Sequence, residues 1–407
     1  MSILISILLF FFLTANIIIW GYIAFRGGFV TLGYIAFLGG TITSGYIAFL
    51  GAMMFPSFQS QFIYLCRPKR TVELEKPERF GFLYKQVTPF YITTDDNIRL
   101  YAWHILPLSL YRRNEKAIHQ NSPLVPTSLL QNDPKARLII SMHGTAGNLA
   151  SGGRPLSYRV LSSASPDHIH ILAFDYRGFG LSSGTPSESG LLIDAIAVFK
   201  WAVEVANISP ERIVIFGHSL GSAVAIALAN ELARQTPAIS FAGIVVTGAF
   251  SDLLAVSKTY RILGFPIFSP IVKVRPLFNY YARHLKDTWL NKDRIGEYAR
   301  GSYRYHITFI HAENDPIVPA AHANSLFWHA VKATSDNGIS FENLEAVKAE
   351  KMIELGEGGW AVEWQTEKGV IRQDMLKRGG HNPITLYPVV GNAVLRAFQA
   401  IDPEFQL

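Results

Sequence analysis

Between residues 138 and 310 short, unbroken apolar runs alternate with longer stretches of helical period. The runs are Leu138 to Met142, Ile169 to Phe174, Ile213 to Phe216, Gly243 to Val246 and Ile307 to Ile310, each bounded by turn residues. A strand that is apolar on both faces must be covered on both, so the alternation predicts a parallel sheet between helical layers. Upstream, Phe90 to Thr93 and Leu100 to Trp103 flank Asp95-Asp96-Asn97 and predict a hairpin. Residues 107 to 135 are rich in Pro, Ser, Asn and Gln and predict a surface loop. After the second run, Thr185 as cap, Pro186 in the first turn and Glu188 closing a capping box predict a helix start. Its expected buried stripe includes Leu192, Ile196 and Phe199; after the third run the stripe is Leu220, Val224, Leu228 and Leu232.

Two regions depart from this rhythm. Residues 250 to 302 sit between two predicted core strands and are rich in Phe, Pro, Trp and Tyr. An insertion there is expected to lie over the carboxyl ends of the strands, as a cap. It holds nine Lys or Arg against four Asp or Glu, a net charge of +5, which suits an acyl chain with an anionic head group; plain packing and solvated charges would explain it equally. The other region is the N-terminus, where Arg26 is the only charged side chain from Met1 to Cys66. Residues 2 to 25 are long and apolar enough to span a bilayer. They lack the basic start and small-residue cleavage site of a signal peptide. Gly-Tyr-Ile-Ala-Phe recurs at Gly21, Gly33 and Gly45, a period of 12 that points to recent tandem duplication. One span, or two with Arg26 at the tip, fits residues 1–66; residues 67–79 form a basic linker and residues 80–407 a catalytic domain.

Composition narrows the classes. Hydrophobic residues make up 49 % of the 407, and the net charge is +6, a mild excess that suits an anionic membrane surface more than nucleic acid. An integral membrane protein is expected, with an endomembrane location. Arg67, Lys69 and Arg70 favour a cytoplasmic flank, but Arg26 weighs against using so few charges to assign sidedness. The sequon at Asn207 is disfavoured by Pro210. The single cysteine, Cys66, excludes an intramolecular disulfide; it sits at the membrane edge, either unmodified or palmitoylated.

Candidate chemistry begins at Gly217-His218-Ser219-Leu220-Gly221, which ends the third apolar run and opens a helical pattern. Strand, sharp turn and helix with Ser219 at the apex make a nucleophile elbow, where the chain folds back so tightly that only glycine fits two positions either side. A serine hydroxyl needs a base, and the base needs a carboxylate to hold its tautomer. In this architecture the acid and then the histidine follow the serine. Asp315 stands just past the fifth run, with Glu313 and Asp252 as competitors and a helix-capping turn as its structural alternative. His322 and His329 lie in a helical pattern, which leaves His381, in Gly379-Gly380-His381, as the base. The oxyanion donors are expected to be the amides of Leu220 and of Thr145, with Ala146 next, from His143-Gly144-Thr145-Ala146-Gly147. Asp175-Tyr176-Arg177-Gly178-Phe179-Gly180 lacks the Lys-Ser/Thr of a phosphate loop and is read as a structural turn held by Arg177. No cofactor or metal is required by this chemistry.

Taken in order, the motifs at 143–147, 175–180, 217–221, 315–319 and 380–382 resemble those of the α/β-hydrolase superfamily across roughly residues 80 to 402. The resemblance implies an α/β-hydrolase fold: a mostly parallel central sheet with helices on both faces, a cap insertion and, here, an N-terminal transmembrane anchor. Within the superfamily, the anchored N-terminus resembles membrane-bound lipases that cleave monoacylglycerols and lysophosphatidylserine. That implies a lipid or acylated substrate met at a membrane, with protein depalmitoylation and a non-catalytic scaffold as rival readings. Two features depart from the pattern: the 12-residue repeats, and Phe341 to Leu355 with Trp360 to Gln365, which look inserted ahead of the last strand.

Overall fold

In the computed structural model, which describes residue 22 and residues 30–65, 73–120, 126–262, 265–335 and 338–405, all five apolar runs are strands of one ten-stranded sheet. In chain order the strands are β1 (Val87–Thr93), β2 (Arg99–Ile105), β3 (Arg137–Met142), β4 (Ile169–Phe174), β5 (Ile213–His218) and β6 (Gly243–Thr247). After a small separate hairpin, β7 (Arg261–Ile262) and β8 (Phe265–Pro266), come β9 (Tyr305–Ala312), β10 (Ile353–Glu354), β11 (Gly359–Thr366) and β12 (Gly369–Leu376). Their order across the sheet is β1-β2-β4-β3-β5-β6-β9-β12-β11-β10. The six strands from β4 to β12 in that order run parallel, and antiparallel partners lie outside them on both sides. The predicted hairpin is the β1–β2 pair.

The register decides where the chemistry can sit. His218 of β5 pairs with Thr247 of β6, Thr247 with Ile310 of β9, and Ala312 of β9 with Leu376 of β12. The carboxyl ends of these four strands are therefore level, and their loops leave the sheet side by side. The helices Arg154–Ser163 and Pro388–Gln399 pack together against the sheet, while Leu220–Ala233, Asn291–Gly301 and Ala321–Thr334 form a second helical layer.

Several expectations are corrected. Residues 107 to 135 contain helices Leu108–His119 and Pro126–Gln131 instead of an open loop; Leu110, Tyr111 and Ile118 give the first a buried stripe that its polar composition conceals. The helix expected to start at Thr185 runs Glu188–Lys200 and is capped by Ser187, whose Oγ accepts from the Gly190 amide at 3.1 Å. Glu188 reaches away from the helix, accepting from the amides of Thr288 and Trp289 at 2.6 and 2.9 Å. That helix is apolar on more than one face; of the expected stripe Phe199 is buried while Leu192 and Ile196 are only half-buried, and Leu191, Ala195 and Val198 are buried instead. The last helix of the 250–302 stretch, Asn291–Gly301, buries Ile295, Tyr298 and Ala299 within the helical layer. Ahead of the last strand, as the sequence suggests, the extra stretch Trp360 to Gln365 forms β11, which adds antiparallel to the outer side of β12. The extra residues extend the edge of the sheet and leave only four residues, Lys377 to Gly380, between the end of β12 and His381.

By internal contacts the chain divides into two units, Tyr64–Val274 with Asp287–Leu407, and Met1–Ile63 with Arg275–Lys286. In the second, helix Val30–Ala52 carries the repeats at Gly33 and Gly45 and is followed by helix Pro56–Tyr64. Leu38–Ala52 and Pro56–Tyr64 meet at 106°, Pro56 starting the new helix because its ring cannot continue the old one. Among the described residues no single helix is long and apolar enough to cross a membrane; this bent pair is, by length and composition. Most of the expected span 2–25, Arg26, Cys66 and the basic run at 67–70 lie outside the described residues.

Candidate active site

Ser219 follows β5 directly, at φ 54° and ψ −117°, a conformation that costs an ordinary residue about 1–3 kcal/mol. Its neighbours hold it there. The Ser219 amide donates to the Thr247 carbonyl at the end of β6, at 2.9 Å. A Cβ on Gly217 would stand 2.4 Å from the Gly221 carbonyl oxygen, and one on Gly221 would stand 2.0 Å from that of Met142. The glycine spacing is thus a requirement of close backbone passage at both positions.

Asp315 lies three residues past β9, and its two carboxylate oxygens divide two tasks. Oδ1 accepts from the amides of Ile317 and Val318 at 2.8 and 2.9 Å, the capping turn anticipated as its alternative role. Oδ2 lies 2.7 Å from Nδ1 of His381. Burial works to raise the Asp315 carboxyl, but the hydrogen bond from His381, its charge and the two amides bring it below the ordinary value. The competitors are engaged elsewhere. Asp252 caps helix Leu253–Thr259 and pairs with Lys292, and Glu313 accepts from the Trp360 indole.

Nε2 of His381 lies 2.9 Å from Ser219 Oγ. Three contacts fix the imidazole besides Asp315. Asn314 Oδ1 accepts from the amides of Gly379 and Gly380 at 3.1 and 3.0 Å, which ties the loop after β12 to the loop after β9. His218 Nε2 donates to the His381 carbonyl at 3.0 Å. Burial, and then the neighbouring His381, push His218 down to about 3, so it is neutral wherever the enzyme could work. A Cβ on Gly248, just past β6, would lie 3.1 Å from His381 Cε1, so the ring packs against bare backbone. His322, in the helical pattern, is buried and bonds Ser251 Oγ at 3.0 Å; Arg177 bridges Asp96 and Asp194 as a structural turn requires.

Sequence reasoning missed Asn314 and, more consequentially, Arg154. The Arg154 guanidinium donates through Nη2 to the carbonyls of Gly144, Thr145 and Ala146 at 2.9, 3.2 and 2.8 Å, and through Nη1 to that of Asn148. A loop whose carbonyls all turn to one cation turns its amides the other way. The Ala146 amide donates to the Tyr64 carbonyl at 3.1 Å, which commits the alternative oxyanion donor. Gly144 brings this loop against the elbow, since a Cβ there would lie 3.2 Å from Ser219 Cβ. Leu220 opens the helix after the elbow, where amides have no acceptor within the helix. Arg154→Lys keeps the charge but cannot span four carbonyls. We expect kcat/KM to fall about 10- to 100-fold, short of the loss when an oxyanion donor is deleted outright. A change within twofold in steady-state kinetics would show that the loop holds its shape without the guanidinium.

Residues 139–384 match the alpha/beta hydrolase family. The chain is 29 % identical over 294 residues to the lysophosphatidylserine lipase ABHD12 of Danio rerio, spanning 70 % of this chain and 69 % of that one. It is 30 % identical over 275 residues to the Rattus norvegicus protein of that name, spanning 65 % of this chain and 61 % of that one. Protein ABHD12B of Homo sapiens is 29 % identical over 280 residues, with 68 % of each chain covered. Among solved structures, an alpha-beta hydrolase from Vibrio vulnificus aligns over 84 % of this chain and 94 % of its own at 15 % identity and a TM-score of 0.49.

Proposed function

This chain belongs to the alpha/beta hydrolase family, and on that footing we propose that it is a membrane-anchored serine hydrolase that cleaves acyl esters of lysophospholipids or monoacylglycerols. The observation that carries the reading is the line of contacts Ser219 Oγ, His381 Nε2, His381 Nδ1 and Asp315 Oδ2, with gaps of 2.9 and 2.7 Å. Lipases named for lysophosphatidylserine stand among its relatives, which supports the substrate class. The uncharged N-terminal segment supports delivery of that substrate from a bilayer.

In the proposed reaction Ser219 Oγ attacks the acyl carbonyl carbon and its proton passes to His381 Nε2. Asp315 keeps Nδ1 protonated and offsets the charge on the imidazolium. The amides of Leu220 and Thr145 donate to the oxyanion. Collapse of the tetrahedral intermediate breaks the bond to the alcohol oxygen, which takes the proton from His381. Water then attacks the acyl-enzyme, its proton passes to His381, and the fatty acid leaves as Ser219 recovers that proton. No step calls on a metal or cofactor.

A panel of lysophosphatidylserine, monoacylglycerol and S-acylated peptide, each presented in bilayers to the full chain, tests the proposal. Release of fatty acid from the first or second substrate is expected, with none from the Ser219→Ala variant. Cleavage of the peptide alone would replace this reading with thioester hydrolysis, and fatty-acid release that survives Ser219→Ala would refute it.

A further inference from the structure

The unit formed by Met1–Ile63 and Arg275–Lys286 contains no Asp or Glu at all. Its second segment comes from the downstream insertion, more than 200 positions away, and brings Arg275, Arg283 and Lys286. The whole stretch from Leu253 to Lys286 is likewise free of acidic residues. The join between the two segments is built with care. Gln59 is only 1 % exposed; its Nε2 donates to the carbonyls of Met53 and His284 at 2.7 and 2.8 Å, and its Oε1 accepts from the Lys286 amide at 3.0 Å. One buried amide side chain thus fastens the end of helix Arg275–His284 to the uncharged helices.

What this unit exposes is unusual for a surface facing water. Ile42 is 71 % exposed, Ile47 56 %, Leu277 41 % and Tyr280 50 %. On helix Arg275–His284, Tyr281 is buried while Leu277 and Tyr280 point outward, with Arg275 before them and Arg283 and Lys286 after them. None of those three cations has a carboxylate partner among the described residues. An apolar and aromatic stripe flanked by unpaired cations is the pattern of a helix lying in the headgroup layer of a bilayer, where the stripe meets acyl chains and the cations meet lipid phosphates and carboxylates.

We propose that the anchor is bipartite: helix Arg275–His284 inserts Leu277 and Tyr280 into an anionic membrane surface beside the N-terminal apolar segment. The proposal rests on the membrane-anchored reading above and adds to it a second, lipid-selective contact from far downstream in the chain. Its occupant is the anionic bilayer itself, chosen by complementarity to a unit with cations and no acids.

The test uses the full chain with Cys66→Ser, so that Leu277→Cys carries the only thiol, labelled with an environment-sensitive fluorophore and reconstituted in bilayers. In bilayers of phosphatidylcholine mixed with phosphatidylserine, emission should be blue-shifted, quenched by lipid-borne doxyl groups and shielded from aqueous iodide. In phosphatidylcholine alone the shift and the doxyl quenching should weaken, as they should on adding R275E, R283E and K286E together. High salt should produce the same loss without any substitution, which keeps the test valid if the triple variant folds poorly. Fluorophosphonate labelling of Ser219 and turnover of a water-soluble ester should be unchanged throughout. A label that remains open to iodide in the mixed bilayers, or that responds equally in both lipids, overturns the proposal. If the chain washes out of bilayers at alkaline pH, the anchored reading and this one fall together; retention with a water-exposed label overturns this one alone.

Discussion

Ser219→Ala is expected to lower kcat by about 10⁴- to 10⁶-fold and to abolish fluorophosphonate labelling, while leaving the fold intact. The size of the loss follows from how the site is wired. His381 has Ser219 Oγ on one nitrogen and Asp315 on the other, so in the proposed mechanism removing the hydroxyl leaves the base with nothing to activate. The fold should tolerate the change because Ser219 is held by backbone: its amide bonds the Thr247 carbonyl, and its carbonyl accepts from the Ser222 amide and hydroxyl. The residual rate should reflect substrate binding and the oxyanion amides alone. Kinetics on a soluble ester, beside thermal unfolding, separate the two effects. An active Ser219→Ala variant would mean that another nucleophile performs the reaction.

Gly221→Ala should be among the most damaging single-methyl changes in the protein and the one that strikes the elbow directly. The new Cβ would fall 2.0 Å from the Met142 carbonyl oxygen and 2.9 Å from that of His143, both backbone atoms that no rotamer can move aside. Either β3 shifts or the elbow helix does, and each movement displaces Ser219 from His381. We expect at least about 3 kcal/mol of destabilisation, at the upper end for overpacking a tight interior, together with loss of activity. Gly301→Ala is the matched control, since a Cβ there meets nothing within 4 Å; it should change stability by no more than about 0.5 kcal/mol. Urea unfolding of the two variants beside the parent checks both values. Equal stability for all three would show that the backbone at 221 can yield without cost.

How much of this was legible beforehand can be judged residue by residue. The five apolar runs, the elbow and the serine, acid and histidine were readable because each depends on local rules: a period, a turn that demands glycine, a strand end. Helix Leu108–His119 was missed because its apolar positions are sparse and its charged residues read as loop. The Glu188–Lys200 face was misjudged because Leu-Leu-Ile-Asp-Ala-Ile-Ala-Val-Phe is apolar nearly all round, and periodicity cannot choose between two apolar faces. Arg154 and Asn314 were invisible for a different reason: each acts by bonding backbone atoms of loops that sequence does not place beside it.

The sequence by itself determined the chemistry available to this protein: a serine between obligatory glycines, Asp315 ahead of Glu313 and Asp252 as the acid, His381 after it in the expected order, and an N-terminus without acidic residues. The tertiary structure decided which groups meet. Level carboxyl ends on β5, β6, β9 and β12 bring Ser219, Asp315 and His381 within hydrogen-bond reach. Arg154 gathers the carbonyls of the Gly144 loop, and Gln59 joins a basic helix to the uncharged segment. The reason is that patterns along a chain report its neighbours three or four residues away, whereas register and long-range hydrogen bonds exist only once the backbone has closed around them.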